Sequence, residues 1–245
     1  MFDLTGRTAL VTGAGQNVGA GIARALAAQG ARVFVNDIDP TRAHTTAVDI
    51  TDAGGVARAV VFDVTDLVEV QTAIDGIDPI DILVNNAGNG GAHGMVPQPF
   101  RDMEPAAWEA PIRVNLYGVL HCVKAVIDGM CERGWGRVIT ISSGAGTRGV
   151  GIGVAPYSAG KGGGIAFTRT LALEVATNGV TANSLAVGLM GMPDPKVTAH
   201  LARTIPVQRT GEPADIAAAC VWLASNEAAW VTGQTIEING GALTT

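Results

Sequence analysis

The sequence is poor in basic residues and in cysteine, and it has no long apolar run. Lys and Arg number 16 against 22 Asp and Glu, which gives a formal net charge of -6. Such a chain has no surplus of cations to neutralise a nucleic acid or an anionic membrane surface, so neither partner is expected. Because a membrane-spanning helix needs about 18 or more consecutive apolar residues, we also expect no transmembrane segment.

The three cysteines, Cys122, Cys131 and Cys220, are odd in number and show no C-x-x-C spacing. We therefore expect reduced, buried thiols and no metal site. The opening residues MFDLTGRTALV run directly into a strand pattern, without the basic and apolar segments of a signal peptide. The protein is accordingly expected in the cytoplasm.

Short β-branched runs alternate along the chain with longer stretches of helical periodicity. In the first half these are TALVT, residues 18–30, RVFVND, residues 41–53, ARAVVFDV, residues 66–75 and DILVNN. The second half adds a long helix within 104–133, GRVITISS, a helix over 157–177, VTANSLAV, a helix near 213–224 and QTIEIN. The alternation predicts one α/β domain over residues 1–245, a doubly wound parallel sheet with helices on both faces. Ligands of such sheets bind at the carboxyl ends of the strands.

A glycine-rich turn, residues 13–17, joins the first strand to the first helix. Free N–H groups and the positive end of the helix dipole at such a turn bind a pyrophosphate when small residues let it approach. Gly13, Gly15 and Gly19 give that clearance. A tight turn without a ligand is the alternative interpretation of this motif alone.

Asp37 ends the second strand, about 20 residues beyond the turn, where a carboxylate accepts both hydroxyls of an adenosine ribose. The same carboxylate would repel a 2'-phosphate, and no Arg or Lys follows at positions 38–41 to receive one. The sequence therefore favours NAD over NADP as the cofactor. A turn or helix-cap aspartate before Pro40 is the alternative.

Tyr157 and Lys161 lie four residues apart on a predicted helix, so their side chains share one face. A nearby ammonium lowers the pKa of a tyrosine from about 10, which suits proton exchange with an alcohol. In isolation the pair is equally consistent with an ordinary surface helix. One strand upstream, Ser142 and Ser143 are either turn caps or substrate contacts.

Taken together, these residues resemble the short-chain dehydrogenase/reductase family over essentially the whole chain. The motifs are TGAGQNVG at 12–19, FDV at 62–64, NNAG at 85–88, RVNLYG around Asn115, Ser143, YSAGK at 157–161 and VTGQTIEINGG near the C-terminus. The resemblance implies a Rossmann-like domain, a nicotinamide cofactor and a homotetramer. The helices within 104–133 and 157–177 would build that tetramer, through apolar residues that include Val119, Val123, Val126, Phe167 and Leu171.

The resemblance also implies roles for four side chains. Tyr157 would be the general acid/base, and Lys161 would lower its pKa and hold the nicotinamide ribose. Ser143 would polarise the substrate carbonyl, and Asn115 would hold a water in a proton relay. Ser143 and Tyr157 are 14 positions apart, one more than is usual, so Ser142 stays an alternative. The implied cofactor contacts are Gly13, Gly15, Asn17, Val18, Gly19, Asp37, Asp63, Val64, Asn86, Ala87, Gly88, Tyr157, Lys161, Val187, Gly188 and Leu189.

Three positions depart from the family pattern. Asn17 stands where a glycine is usual, but asparagine is the non-glycine residue most tolerant of a left-handed backbone, and it adds an amide at the rim of the site. Val187 and Met192 replace a common proline and threonine. Because methionine lacks the threonine hydroxyl, we expect the backbone at Val187 or Leu189 to anchor the nicotinamide.

The expected substrate wall combines residues 88–100, 144–155 and 188–205. Its apolar side chains fit a small to medium hydrophobic secondary alcohol or ketone. His93 and Arg148 lie in these loops and are expected to be solvated or to cap local structure rather than to contact substrate. The apolar residues of the wall are Val150, Ile152, Leu189, Met190 and Met192.

The leading prediction for function is an NAD-dependent secondary-alcohol dehydrogenase. A related alternative is an NADPH-dependent 3-oxoacyl-thioester reductase, which Asp37 opposes. A different class is a non-catalytic dinucleotide sensor, and the intact set of Asn115, Ser143, Tyr157 and Lys161 argues against it.

Overall fold

In the computed structural model, which describes residues 1–88, 96–192 and 194–244, seven parallel strands form one sheet in the order β3-β2-β1-β4-β5-β6-β7. The strands are β1 Thr8–Val11, β2 Arg32–Asp37, β3 Val56–Val61, β4 Ile82–Asn85, β5 Gly136–Ser143, β6 Val180–Val187 and β7 Thr235–Ile238. The predicted doubly wound parallel sheet is confirmed. The strand order reverses between β1 and β4, which places a crevice at their carboxyl ends.

Nine α-helices are present in the described residues. They are α1 Asn17–Ala28, α2 Pro40–Asp52, α3 Leu67–Asp75, α4 Ala106–Ile112, α5 Gly118–Glu132, α6 Gly144–Thr147, α7 Ala155–Val175, α8 Pro195–Ala202 and α9 Pro213–Ala224. Short 3₁₀ turns cover Phe100–Asp102, Ala176–Asn178 and Asn226–Ala228. None of the described helices is both long enough and apolar enough to cross a membrane.

Alternate side chains of the strands enter two separate cores. Val11 and its neighbours on one face pack against α1, α2 and α9. Leu10 and its neighbours on the other face pack against α3, α5 and α7. Burial of both faces explains why strands such as ILVN are continuously apolar.

The second core also contains residues that were expected at a subunit interface. Val119, Val123, Val126 and Leu171 are buried within the chain, and Phe167 packs against them. That expectation is wrong for the four buried side chains, because both helices turn them toward the sheet, whereas Phe167 is only partly buried. The exposed apolar residues lie elsewhere on the surface.

The long helix expected within 104–133 is interrupted. Pro111 lies inside α4 and lacks a backbone N–H, and a π-helical segment, Arg113–Tyr117, joins α4 to α5. Two short helices, α6 and α8, were not predicted, because their glycine-rich and proline-rich sequences carry little helical periodicity.

Candidate active site

A groove of about 820 Å³ lies at the carboxyl ends of the central strands. It is lined at once by the glycine-rich turn, by Asp37 on β2, and by Tyr157 and Lys161 on α7. Most of the residues predicted from the sequence therefore share one cavity. They are Gly13, Asn17, Val18, Gly19, Asp37, Asp63, Val64, Asn86, Ala87, Gly88, Ser143, Tyr157, Lys161, Val187 and Gly188.

The glycine-rich turn is tied to the end of β4 through one buried hydroxyl. Thr12 Oγ1 accepts hydrogen bonds from the backbone N–H groups of Asn86 and Ala87, both at 3.0 Å. The Asn86 amide in turn donates to the carbonyl oxygens of Thr12 and Gly13. A Cβ on Gly19 would lie 2.3 Å from the Gly13 oxygen, so only glycine fits there. The network fixes the shape of the turn.

Asn17 begins α1 with a left-handed backbone, at a φ of 47°. The preceding residue, Gln16, makes no side-chain cap, and the first turn of the helix carries no acidic residue. The N–H groups of this turn therefore remain available to an anion, in the field of the helix dipole. Asn17 is exposed at the rim of the groove. It adopts the left-handed conformation that asparagine was expected to tolerate.

The Asp37 carboxylate is 5% exposed and already accepts three hydrogen bonds. Gly15 N–H donates to Oδ2 at 3.1 Å, and Asp39 N–H donates to Oδ1 at 3.0 Å. The third donor is Arg42 Nη2, at 2.8 Å from Oδ1. Gly15 itself lies behind this pair rather than in the groove, since its Cβ would contact Arg42 and Asp37.

Arg42 corrects the sequence analysis, which found no cation at positions 38–41. The first turn of α2 carries the Arg42 side chain back to Asp37, and Arg42 lines the groove. The available signal was Pro40, which favours a helix start and therefore places Arg42 in the first turn of α2, close to the end of β2. The other groove residues that were missed include Gln16 and Arg113, because a lone polar side chain near a turn belongs to no recognisable motif.

Ser143 and Tyr157 both line the groove. Burial raises the pKa of Tyr157 above its usual value, and the hydrogen bond with Ser143 acts in the opposite direction. Ser143 also caps α6, since its Oγ accepts from Ala145 N–H at 3.2 Å. The alternative residue, Ser142, is buried and donates to the Lys161 carbonyl oxygen.

Lys161 is buried, and its Nζ donates to the Ile141 carbonyl oxygen at 2.7 Å. Burial lowers the pKa of Lys161 to about 8. Its Nζ lies 6.0 Å from the centre of the Tyr157 ring. The expectation that this ammonium lowers the Tyr157 pKa is wrong, because burial raises that pKa and the group that lowers it is Ser143.

Asn115 lies beneath the groove rather than in it, 1% exposed, in the π-helical segment. Its Nδ2 donates to the Pro111 carbonyl oxygen at 2.8 Å. A Cβ on Gly88 would lie 2.7 Å from both Asn115 Oδ1 and Lys161 Nζ. The end of the NNAG segment is thus packed between these two polar side chains.

The loop after β6 differs in part from expectation. Leu189 does not line the groove; its carbonyl oxygen accepts from Gly211 N–H at 2.9 Å, and its side chain lines a smaller cavity of about 190 Å³. Met190 lines the groove instead. The backbone of Met192 bonds to the Thr198 hydroxyl.

Of the two charged loop residues, Arg148 is exposed and donates to the Ala242 carbonyl oxygen at 3.4 Å. His93 and most of the segment 88–100 around it lie outside the described residues. Within the described ranges, no group of three or more His, Cys, Asp or Glu side chains is arranged to hold a metal ion.

The residues present fit a nicotinamide dinucleotide. Gly19 keeps the turn free of side chains, the open N-terminus of α1 suits a pyrophosphate, and Asp37 lies at the end of the same groove. Lys161 and Tyr157 would lie beside the nicotinamide ribose. Such a cofactor supplies hydride transfer when it is bound.

Comparison with known proteins identifies the family. A model of the short chain dehydrogenases matches residues 7–198. The chain belongs to the short-chain dehydrogenase family. This short-chain dehydrogenase is therefore an oxidoreductase of the nicotinamide-dinucleotide class, as the sequence motifs implied.

Similar proteins match this short-chain dehydrogenase over nearly its full length. A 3-oxoacyl-[acyl-carrier-protein] reductase of Synechocystis sp. is 39% identical over 249 residues, covering 98% of each chain. A gluconate 5-dehydrogenase of Burkholderia cenocepacia, solved with NADP and tartrate, has a TM-score of 0.90 at 36% identity, covering 98% of this chain and 96% of its own. A 3-oxoacyl-[acyl-carrier protein] reductase of Brucella melitensis, solved with NAD, has a TM-score of 0.92 at 33% identity, covering 99% and 94%.

Proposed function

We propose that the chain is an NAD-dependent dehydrogenase that interconverts a small to medium hydrophobic secondary alcohol and its ketone. The observation that carries this proposal is the meeting of Ser143, Tyr157 and Lys161 in the same groove as the glycine-rich turn. A proton-transfer group thus lies in the same cavity as the proposed dinucleotide contacts. The apolar residues Val187 and Met190, which line the groove, support a hydrophobic substrate.

Each side chain has a separate task in the proposed reaction. Tyr157 accepts the hydroxyl proton of the alcohol in oxidation and donates it to the developing alkoxide in reduction. The Ser143 oxygen accepts from Ala145 N–H, and its hydrogen, which otherwise bonds to Tyr157, is donated to the substrate oxygen when substrate is bound. Lys161, fixed to the Ile141 carbonyl oxygen, orients the ribose and carries protons away from Tyr157.

The preference for NAD rests on Asp37. Its carboxylate faces the groove at the end of β2, and a 2'-phosphate placed there would meet a negative charge. A direct test measures initial rates for a panel of secondary alcohols and ketones with each of the two cofactors. The proposal predicts a higher kcat/KM with NAD than with NADP, and tighter binding of NADP than of NAD would contradict it.

The second candidate is an NADPH-dependent 3-oxoacyl-thioester reductase. Two observations favour it: the similarity to 3-oxoacyl-[acyl-carrier-protein] reductases, and the cation of Arg42 beside Asp37. Reduction of acetoacetyl-CoA with NADPH, at a rate above that of any simple ketone with NADH, would establish this candidate. No turnover of any alcohol, ketone or thioester, with intact NAD binding, would instead indicate a dinucleotide sensor.

We also propose a homotetramer in the cytoplasm. Trp230 is 99% exposed and Leu173 is 79% exposed, and α7 contacts the edge strand β7 through a bond from Arg169 to Thr235. Large exposed apolar side chains and a free strand edge both favour association. The three free thiols support a reducing compartment. The sedimentation coefficient of the purified chain would distinguish a tetramer from a dimer, and a monomer would contradict the proposed assembly.

A further inference from the structure

We propose that the protein binds internal water at a buried polar cluster beneath α7, formed by Asn85, Thr140 and Ser184. None of these three residues lines the groove of the candidate active site. The ligand is water rather than a substrate or a cofactor, so the proposal does not depend on the proposed function. It gives a role to three polar side chains that the proposed reaction does not use.

The three residues lie side by side across the sheet. Asn85 on β4 is paired in register with Thr140 on β5, and Thr140 is paired with Ser184 on β6. In each of these strands, the residue two positions earlier packs into the core formed with α3, α5 and α7. Because residues two apart in a strand share a face, the three side chains enter that same core. They form a polar row within a hydrophobic core.

Most of the polar atoms in this row have no partner within the protein. All three side chains are buried. Thr140 Oγ1 bonds to Thr168 Oγ1 of α7 at 3.0 Å. In the described part of the chain, however, neither polar atom of the Asn85 amide has a hydrogen-bond partner, and the Ser184 hydroxyl has none either. Buried polar groups of this kind are normally satisfied by protein or by ordered water.

A second buried asparagine shows the contrast. Asn36 on β2 donates from Nδ2 to the carbonyl oxygens of Val60 and Phe62, at 3.2 and 3.0 Å. Its Oδ1 accepts from Gly13 N–H. The fold thus satisfies Asn36 with backbone groups, whereas it leaves the whole amide of Asn85 to another ligand. An asparagine amide both donates and accepts, and water is the smallest ligand that can do the same in return.

Gly164 on α7 leaves space next to the row. A Cβ on Gly164 would lie 3.7 Å from Thr140 Cγ2 and 3.6 Å from the Asn115 carbonyl oxygen, which are ordinary contact distances. The space therefore admits a group the size of a methyl, and a water molecule is of similar size. The site differs from the relay water that the family resemblance assigns to Asn115, because its ligands are the side chains of Asn85 and Ser184.

The alternative is that the space beside Gly164 is empty and the polar atoms stay unpaired. Gly164→Ala distinguishes the two, because its methyl group would occupy the space without a steric clash. If water fills the space, the methyl displaces it, and the urea midpoint of unfolding should fall. If the space is empty, the methyl fills it and alanine favours the helix, so an unchanged or raised midpoint would overturn the proposal. Gly129→Ala in α5 is the control and should not lower the midpoint, since its Cβ would meet only the end of the Arg133 side chain.

Crystal structures at high resolution would locate the water directly. We expect density for water within hydrogen-bonding distance of the Asn85 amide and of Ser184 Oγ in the wild type. The water beside residue 85 should be lost in Asn85→Leu, which has a similar branched shape but no polar atom. A wild-type structure in which the Asn85 amide bonds only to protein groups, or in which the space holds no density, would overturn the proposal.

Should Asn85→Leu not fold, Ser184→Ala gives the same comparison at the other end of the row. Neither the urea midpoint nor the crystal structure requires cofactor or substrate. Absence of alcohol oxidation would therefore count against the proposed function alone.

Discussion

The two sides of the groove are built differently. On the glycine-loop side, residues 12–19, 36–42, 62–65 and 85–88, buried side chains bond to backbone across neighbouring strands, as Asn36 does to Val60 and Phe62. On the open side, residues 144–154, 188–192 and 194–205, the helix α8 has no buried residue and Ile152 is largely exposed. The glycine-loop side is joined through buried side chains, whereas the bonds of the open side, such as that of Met192 to Thr198, lie at exposed residues.

The contrast separates two functions of the site. A rigid side fixes the position of a cofactor and of the proton-transfer groups, for which small displacements are costly. An open side of exposed loops sets which substrate is admitted, and such loops vary most between proteins that share a fold. We therefore expect substitutions on the glycine-loop side to affect stability and cofactor binding, and those on the open side to affect substrate choice.

The largest effect is expected for Tyr157→Phe. Removing the phenolic hydroxyl removes the proton donor and acceptor, so kcat should fall by about 1,000-fold. The affinity for NAD should change little, because the ring and Lys161 remain. Initial rates and calorimetry on the same preparation check both statements. A variant that keeps more than about a tenth of the wild-type kcat would show that another group transfers the proton.

The next largest effect is expected from pH. Burial holds the pKa of Tyr157 above its usual value, so the phenolate needed for oxidation is scarce at neutral pH. The kcat/KM for oxidation should rise by up to about tenfold per pH unit below that pKa, while the rate of reduction should not rise. Ser143→Ala removes the hydrogen bond that lowers the pKa, so its profile should move to higher pH. An oxidation rate that falls with pH would contradict this assignment.

A pair of glycine substitutions compares the two sides directly. Gly19→Ala places a Cβ 2.3 Å from the Gly13 oxygen, and we expect a loss of about 1–3 kcal/mol in unfolding free energy. Gly149→Ala on the open side meets no atom within 4 Å, so its effect should stay within about 1 kcal/mol. Urea denaturation measures both. Equal effects would show that the two sides are equally rigid.

The smallest effect is expected for Asn17→Gly. Relief of the left-handed φ should raise the unfolding free energy by about 0.5–1 kcal/mol. Loss of the amide should weaken NAD binding by about fivefold, if the side chain contacts the cofactor. Gln208→Gly is the control, since Gln208 has a φ of 58° and does not line the groove. Unchanged NAD affinity in Asn17→Gly would limit Asn17 to a backbone role.

Much of the glycine-loop side could be predicted from the sequence. Its residues directly follow strands that are apolar on both faces, so each can be placed at the end of a strand. The distances along the chain from the glycine-rich turn to Asp37 and to the pair of Tyr157 and Lys161 are typical of the family. Arg42 escaped prediction because the start of α2 decides where its side chain points. The raised pKa of Tyr157 could not be predicted, because it results from burial in the folded chain. The spacing of four residues between Tyr157 and Lys161 carries no information on burial.

The open side was less predictable for the same physical reason. Leu189 was expected to contact the cofactor, but it does not line the groove, and its carbonyl oxygen accepts a hydrogen bond from Gly211 N–H. Pairings of this kind join segments that are distant in the sequence and carry no local signal. Substrate identity depends on these loops, and neither the family motifs nor the fold determines their side chains.

Transfer of deuterium tests the central claim most directly. The chain would be incubated with NADH that carries deuterium at the transferred position of C4, together with a panel of small hydrophobic ketones. The account predicts a product alcohol with one deuterium at its carbinol carbon, seen by mass spectrometry with wild type and lost in Tyr157→Phe. Ketones that remain unreduced and unlabelled across the panel, with NADH bound, would contradict it.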